Sequence, residues 1–172
     1  MAVGKEEFRE ALAGLCTPVT VVTTMVGGDP AGATVSAIAS LSLEPPMVTV
    51  ALDQRSRLLP ALLQARRFGV NVLSYGQEET ARLFATPGAE RFGVAAWQVD
   101  HGMPRLHGAG AWLVCEVTQA VPGGDHTLLL AAVEHTAHTQ SAPLVYARRT
   151  FGTHSRFRSV ATPGEGSTTT DR

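Results

Sequence analysis

A run of β-branched and apolar residues, Val19-Thr20-Val21-Val22-Thr23-Thr24-Met25-Val26, stops at Gly27-Gly28-Asp29-Pro30, and a stretch of alternating hydroxyl and apolar side chains follows. β-Branched side chains suit a pleated strand, and Gly, Asp and Pro suit a tight turn, so the pattern predicts a hairpin. In its second arm an extended chain places Thr34, Ser36, Ile38, Ser40 and Ser42 on one face and Val35, Ala37, Ala39, Leu41 and Leu43 on the other. Pro45-Pro46 cannot donate to a ladder, so the arm ends there and Met47 to Leu52 makes a third strand. Hydroxyls both donate and accept. Four of them beside backbone N–H groups can hold a phosphate or a sugar-like chain without net positive charge. The plain alternative is the solvated outer face of an antiparallel strand.

Along the rest of the chain, Phe8, Leu12 and Leu15 recur at helical spacing within Lys5 to Leu15, a short amphipathic helix ended by Cys16-Thr17-Pro18. The polar loop Asp53-Gln54-Arg55-Ser56-Arg57 opens onto a helix at Leu58 to Ala65 with Pro60 in its first turn. Phe68 to Ser74 reads as a strand and Gln77 to Ala85 as a helix. Thr86 to Arg105, with Phe92, Trp97, His101 and Pro104, is expected to be a long loop serving as lid, binding loop or interface. Ala109 to Val121 and Thr127 to Thr139 are strands around the turn Pro122-Gly123-Gly124-Asp125, and one last strand covers Leu144 to Phe151. Six or so strands joined mainly by turns, with a few short helices, point to a closed or nearly closed antiparallel barrel with a ligand at its mouth or at a subunit interface. With 172 residues, 44% of them hydrophobic, one domain is expected over residues 1–160. Residues 161–172 lack any apolar anchor and are expected to be disordered.

The formal net charge is −1 and the arginines are scattered apart from Arg66-Arg67 and Arg148-Arg149, so the basic stripe of a nucleic-acid partner is missing. Cys16 and Cys115 form no Cys-x-x-Cys pair and are expected to be reduced and buried. The first residues carry charge, not a signal-peptide pattern, and no segment approaches the roughly 20 apolar residues of a membrane span, so a soluble cytoplasmic protein is expected. His135 and His138 fall on opposite faces of a strand, which suits no shared metal, and no metal site is expected. Asp53 and Ser56 precede a helix, where a hydroxyl and free N–H groups either receive an anion or merely cap the helix. His126 follows Gly123-Gly124-Asp125 at a turn, where position alone marks a solvated histidine. Tyr146 and Phe151 can stack on a ring, and they are equally suited to a core. Neither Gly-x-Gly-x-x-Gly nor Gly-x-x-x-x-Gly-Lys occurs.

Together these pieces resemble the flavin reductases with the FMN-binding split-barrel fold, the reductase components of two-component flavin monooxygenases. The resemblance rests on Thr34-Val35-Ser36-Ala37 through Ser40-Leu41-Ser42 with Glu44-Pro45-Pro46, then Asp53 to Ser56, Phe68 to Leu73, Gly124-Asp125-His126, and Pro143-Leu144-Val145-Tyr146 with Phe151. It implies a mainly β, antiparallel Greek-key split barrel forming a homodimer, with a few short helices. It also implies hydride transfer from NADH, or NADPH as the alternative, to FAD or FMN, with reduced flavin passing to a partner monooxygenase. By the same resemblance Thr34, Ser36, Ala37, Ser40, Leu41 and Ser42 would line the flavin, with Asp53 and Ser56 near its phosphate and Phe92 at its outer part. His126 would meet the nicotinamide nucleotide, assisted by Tyr146 and by Phe151, which stands where the family often has tyrosine. No side chain is then an obligatory acid or base, because the flavin carries the hydride chemistry. The absence of a concentrated basic pocket favours NADH. A non-catalytic flavin carrier or sensor is the main rival, and a barrel oxidase acting on a phosphorylated vitamin is a second.

Overall fold

A computed structural model describes residues 3–154. The chain runs α1 (Lys5–Ala13), β1 (Thr17–Pro18), β2 (Thr20–Val26), β3 (Asp29–Val35), β4 (Ile38–Leu43), β5 (Pro46–Asp53), α2 (Leu58–Ala65), β6 (Arg67–Val72) and α3 (Glu78–Ala85). It continues through β7 (Trp97–Asp100), β8 (Met103–Leu106), β9 (Ala111–Gly123), β10 (His126–His138), β11 (Val145–Ala147) and β12 (Thr150–Gly152). Seven strands form one antiparallel sheet in the order β3-β2-β6-β9-β10-β5-β4.

That order forces curvature. Its edge strands β3 and β4 are consecutive in the chain and joined only by Ser36-Ala37. Laid flat, six strand spacings would separate the edges by about 29 Å, whereas so short a link reaches about 10 Å. The sheet therefore coils until its edges approach. They do not pair with each other, which leaves the barrel split, and Ser36-Ala37 crosses the gap. Ala37 O accepts Ala51 N–H at 2.9 Å and holds the crossing against β5.

Val22, Val50, Phe68, Val70, Cys115 and Leu129 fill the barrel, and α2 closes it with Leu58, Leu59 and the fully buried Leu62. Burying a leucine side chain of that kind contributes about 2–3 kcal/mol. A second cluster, built from Val19, Val21, Leu73, Ala81, Phe84, Leu106 and Leu144, seats α3 on the outside of the sheet. Between the two, Asn71 donates to Val21 O at 3.1 Å and accepts Leu106 N–H at 2.7 Å. Thr23 Oγ1 donates to Pro104 O at 2.7 Å, so buried polar groups clamp β8 to the sheet.

Four expectations from sequence are corrected. Thr86–Arg105 is not all loop: Trp97–Asp100 and Met103–Leu106 pair as a hairpin. Its turn uses His101 (φ 48°) and Gly102 (φ 80°), and Met103 and Leu106 are buried under it. The last strand is two, β11 and β12, turned at Arg148 and Arg149, both in the left-handed region. The hydroxyl arm is not continuous. It breaks at Ser36-Ala37, and a bulge between Ser40 and Ser42 ends the strict alternation, leaving Leu41 48% and Leu43 87% exposed. Cys16 is exposed, because α1 before it buries none of its residues and Phe8, Leu12 and Leu15 face outward. Cys115 is buried as expected, and burial pushes its thiol up to about 12. The tail expected at 161–172 lies outside the described residues. No described helix is long and apolar enough to cross a membrane.

Candidate active site

A cleft of about 700 Å³ opens where three segments meet. One wall is β3 from Pro30 to Thr34, the second is Arg55 to Leu58 before and at the start of α2, and the third runs from Phe84 in α3 through Pro87 to Phe92. The walls meet there for local reasons. Ser56 N–H donates to Asp53 O at 2.8 Å and Ser56 Oγ accepts Leu58 N–H at 3.2 Å, so the serine closes the loop and takes the first N–H of α2. Thr34 Oγ1 donates to Ala81 O at 2.7 Å and ties β3 to α3. Phe92 packs edge-on between Phe84, 5.2 Å away, and Trp97, 5.3 Å away, while Trp97 Nε1 donates to Phe92 O at 3.0 Å.

The cleft is basic. Arg91 donates from Nη1 to Gly32 O at 2.7 Å and from Nη2 to Thr86 O at 2.9 Å, and its buried Nε finds no partner among the described residues. Both partners are neutral carbonyls, so the guanidinium is held in place with its charge uncompensated. Arg57 makes no ion pair or side-chain hydrogen bond among the described residues. Arg55 is grasped by Asp53, which accepts its Nη2 at 2.7 Å, its Nε at 3.1 Å and its backbone N–H at 2.8 Å. Those bonds hold the Asp53 carboxyl well below the usual carboxylate range and raise the Arg55 guanidinium above its ordinary value. The Glu90 carboxylate is occupied by Gly93 N–H at 3.0 Å. Arg55, Arg57 and Arg91 thus line one cleft, Arg55 paired with Asp53 and the other two without a carboxylate partner among the described residues, an arrangement suited to phosphate oxygens.

His126 stands beside this wall. It lies opposite Asp53 in the β5–β10 pairing, and its Nδ1 is 2.7 Å from Asp125 Oδ1. Gln54 staples the two segments, with its backbone N–H on Asp125 O at 3.0 Å and its Nε2 on Gly124 O at 3.3 Å.

Of the residues singled out by sequence, Thr34, Ser56 and Phe92 line the cleft, and Asp53 and His126 adjoin it. Ser36 and Ala37 lie on the crossing between the barrel edges, and Ser40, Leu41 and Ser42 follow along edge strand β4. Tyr146 and Phe151 lie 4.9 Å apart in the cluster that also packs Phe92, with Arg82 5.0 Å from the Phe151 ring; neither lines the cleft. Arg55, Arg57, Arg91, Gln54 and Asp125 were missed. Arg55 and Arg57 flank Ser56, and only Arg91, immediately before Phe92, is distant from them in sequence. His135, from the pair judged unsuited to metal, stacks on His101 at 3.8 Å, and the described residues bring together no three groups able to hold a metal ion.

The chain is similar to known proteins. The chain is 40% identical over 157 residues to the reductase component of 4-nitrophenol 4-monooxygenase/4-nitrocatechol 2-monooxygenase from Rhodococcus opacus, covering 91% of this chain and 84% of that one. It is 40% identical over 158 residues to the NADH:riboflavin 5'-phosphate oxidoreductase of Streptomyces pristinaespiralis, covering 88% and 89%. The NADH:FAD oxidoreductase of Streptomyces globisporus C-1027, solved with NAD and FAD fragments, superposes with a TM-score of 0.84 at 28% identity, covering 90% and 97%. Residues 12–155 match the flavin reductase like domain, and the chain belongs to that family.

Proposed function

We propose that this protein is an NADH-dependent flavin reductase that reduces FAD or FMN and supplies a partner monooxygenase. The observation that carries the reading is the convergence of Arg55, Arg57, Arg91, Ser56 and Phe92 on one cleft beside His126. The names of the relatives, a monooxygenase reductase component and two NADH-dependent flavin oxidoreductases, support it.

The residues present fit a flavin. Arg91 offers an unneutralised guanidinium with a buried, unpartnered Nε, the kind of group an anion satisfies. Arg57 adds charge from the opposite wall, where Arg55 is paired with Asp53. The Ser56 oxygen is accepting Leu58 N–H, so its proton is available to a phosphate oxygen. Asp53 acts indirectly, because a carboxylate facing phosphate would repel it. Bound to Arg55 through both oxygens, it holds that guanidinium at the cleft wall. Thr34 spends its proton on Ala81 O and keeps an acceptor lone pair. Ser36, Ala37, Ser40, Leu41 and Ser42 continue the flavin wall past the split. Phe92 forms its apolar outer part, backed through the second cluster by Tyr146 and Phe151. His126 meets the nicotinamide nucleotide from the neighbouring turn.

The bound flavin supplies the hydride acceptor. The protein's part is to neutralise phosphate, to exclude water with Phe92 and Phe84, and to orient the nucleotide through His126. The exposed apolar side chains Phe8 and Leu12 on α1, Leu15 just after it, and Leu41 and Leu43 on β4 go with a homodimer that covers them, and a cytoplasmic location goes with NADH as reductant.

Anaerobic stopped-flow absorbance tests the reading, with protein and FAD or FMN mixed against NADH or NADPH in all four combinations. Bleaching of the flavin band far faster than without protein is expected with NADH. Flavin binding without nicotinamide-driven bleaching would leave only a carrier.

A further inference from the structure

We propose that Asp125 is a positioning residue, one that fixes which nitrogen of His126 is presented to the nicotinamide nucleotide. The proposal rests on the placing of His126 at that nucleotide and deepens it. Asp125 Oδ1 is 2.7 Å from His126 Nδ1, and this bond, the largest influence on Asp125, holds its carboxyl below the usual range. An ionised carboxylate only accepts hydrogen bonds, so Nδ1 carries the proton. In the neutral ring Nε2 then carries none and can only accept.

Three features keep the pair in register. Gly124 turns at φ 68°, a conformation that side chains rarely adopt. Gln54 holds both Gly124 O and Asp125 O onto the loop that lines the cleft. Asp53, opposite His126 across the β5–β10 pairing, takes three hydrogen bonds from Arg55 and does not compete for the ring. His126 is thus presented as an acceptor. The matching groups of a reduced nicotinamide nucleotide are its donors, the carboxamide N–H₂ and the ribose hydroxyls, whereas a phosphate oxygen has no match at Nε2.

The test uses the full chain with ¹⁵N-labelled histidine. Long-range ¹⁵N–¹H correlation spectra are recorded without nucleotide, and His126→Ala identifies the His126 signals. The Nδ1–H tautomer is expected in the unaltered protein and in Asp125→Asn, whose carbonyl still accepts, and its loss is expected in Asp125→Ala. Steady-state kinetics with NADH are run in parallel. Losing one hydrogen bond of this kind raises KM for NADH about five- to tenfold in Asp125→Ala and less in Asp125→Asn, with the Kd for flavin unchanged. An Nε2–H tautomer in the unaltered protein would overturn the proposal. So would an unchanged KM in Asp125→Ala while His126→Ala raises it, a result that leaves the placing of His126 standing. An unchanged KM in His126→Ala overturns that placing and this proposal with it.

Discussion

Gly69→Ala tests the packing of Trp112 against the sheet, because one methyl group has nowhere to go. A Cβ at Gly69 would sit 2.1 Å from Trp112 Cη2, 2.4 Å from Trp112 Cζ3 and 2.9 Å from Thr23 Oγ1. Carbon contacts are relaxed at about 3.5–4.0 Å, so the indole must retreat by about 1.5 Å. Trp112 is fully buried against Met103 and Val114, with Met25 and Ala137 packed on the same cluster, and Thr23 is committed to Pro104 O. Overpacking of this sort costs about 1–3 kcal/mol, and two rigid neighbours place it at the upper end. The restricted unfolded chain returns only about 0.4–1 kcal/mol to an alanine variant, so destabilisation wins by about 2 kcal/mol. For a domain of this size that lowers Tm by about 4–8 °C. Chemical denaturation followed by far-ultraviolet circular dichroism measures the loss. Adding Trp112→Leu makes room, so the double variant should lose less than the sum of the two single changes. A Gly69→Ala protein within about 0.5 kcal/mol of the unaltered one would refute the packing argument.

Arg91→Ala removes an uncompensated guanidinium from the cleft and should raise the Kd for flavin about 10- to 100-fold, with Arg91→Lys in between. Flavin fluorescence titration reads this, and an unchanged Kd would remove Arg91 from the site. Leu12→Glu and Leu43→Glu alter side chains that are 49% and 87% exposed, so each chain should stay folded while light scattering shows the assembly falling to monomer. A monomeric parent protein would refute the covering of those faces. In native protein one thiol, Cys16, should react with a thiol reagent at pH 8, and the second should react only on unfolding. The folded value of about 12 for Cys115 lies above its unfolded value. Its contribution to stability is therefore complete below about pH 8.5 and fades as pH rises from there towards the folded value. A denaturation series across that range should show stability falling, and falling less in Cys115→Ala.

How much was legible from sequence varied with the range of the interaction responsible. The hairpin of β2 and β3, the stop at Pro45-Pro46 and the pair β9 and β10 were readable because turn residues and β-branched runs act on their immediate neighbours. The hairpin of β7 and β8 was not. Its turn residues His101 and Gly102 carry a weak local signal, and burial of Met103 and Leu106 under the sheet outweighs it. Ser56 and Phe92, which line the cleft, are legible through the motifs around them, while the arginines beside them are not, because charge scattered along the chain gives no local signal.

The sequence by itself determined a β-rich chain, the hairpin of β2 and β3, the stop at Pro45-Pro46, the pair β9 and β10, and the ordered short motifs of a flavin reductase, because these follow from local conformation and from residues close together in the chain. Tertiary structure decided where Ser36-Ala37 crosses the split, since that depends on a seven-stranded order no local pattern encodes. It also decided that Arg91 faces one cleft with the distant Arg55 and Arg57, in a chain of net charge −1. The reason is that charge acts through distance in space. Only the coiling of the sheet and the seating of α2 and α3 convert distant positions into one electrostatic site.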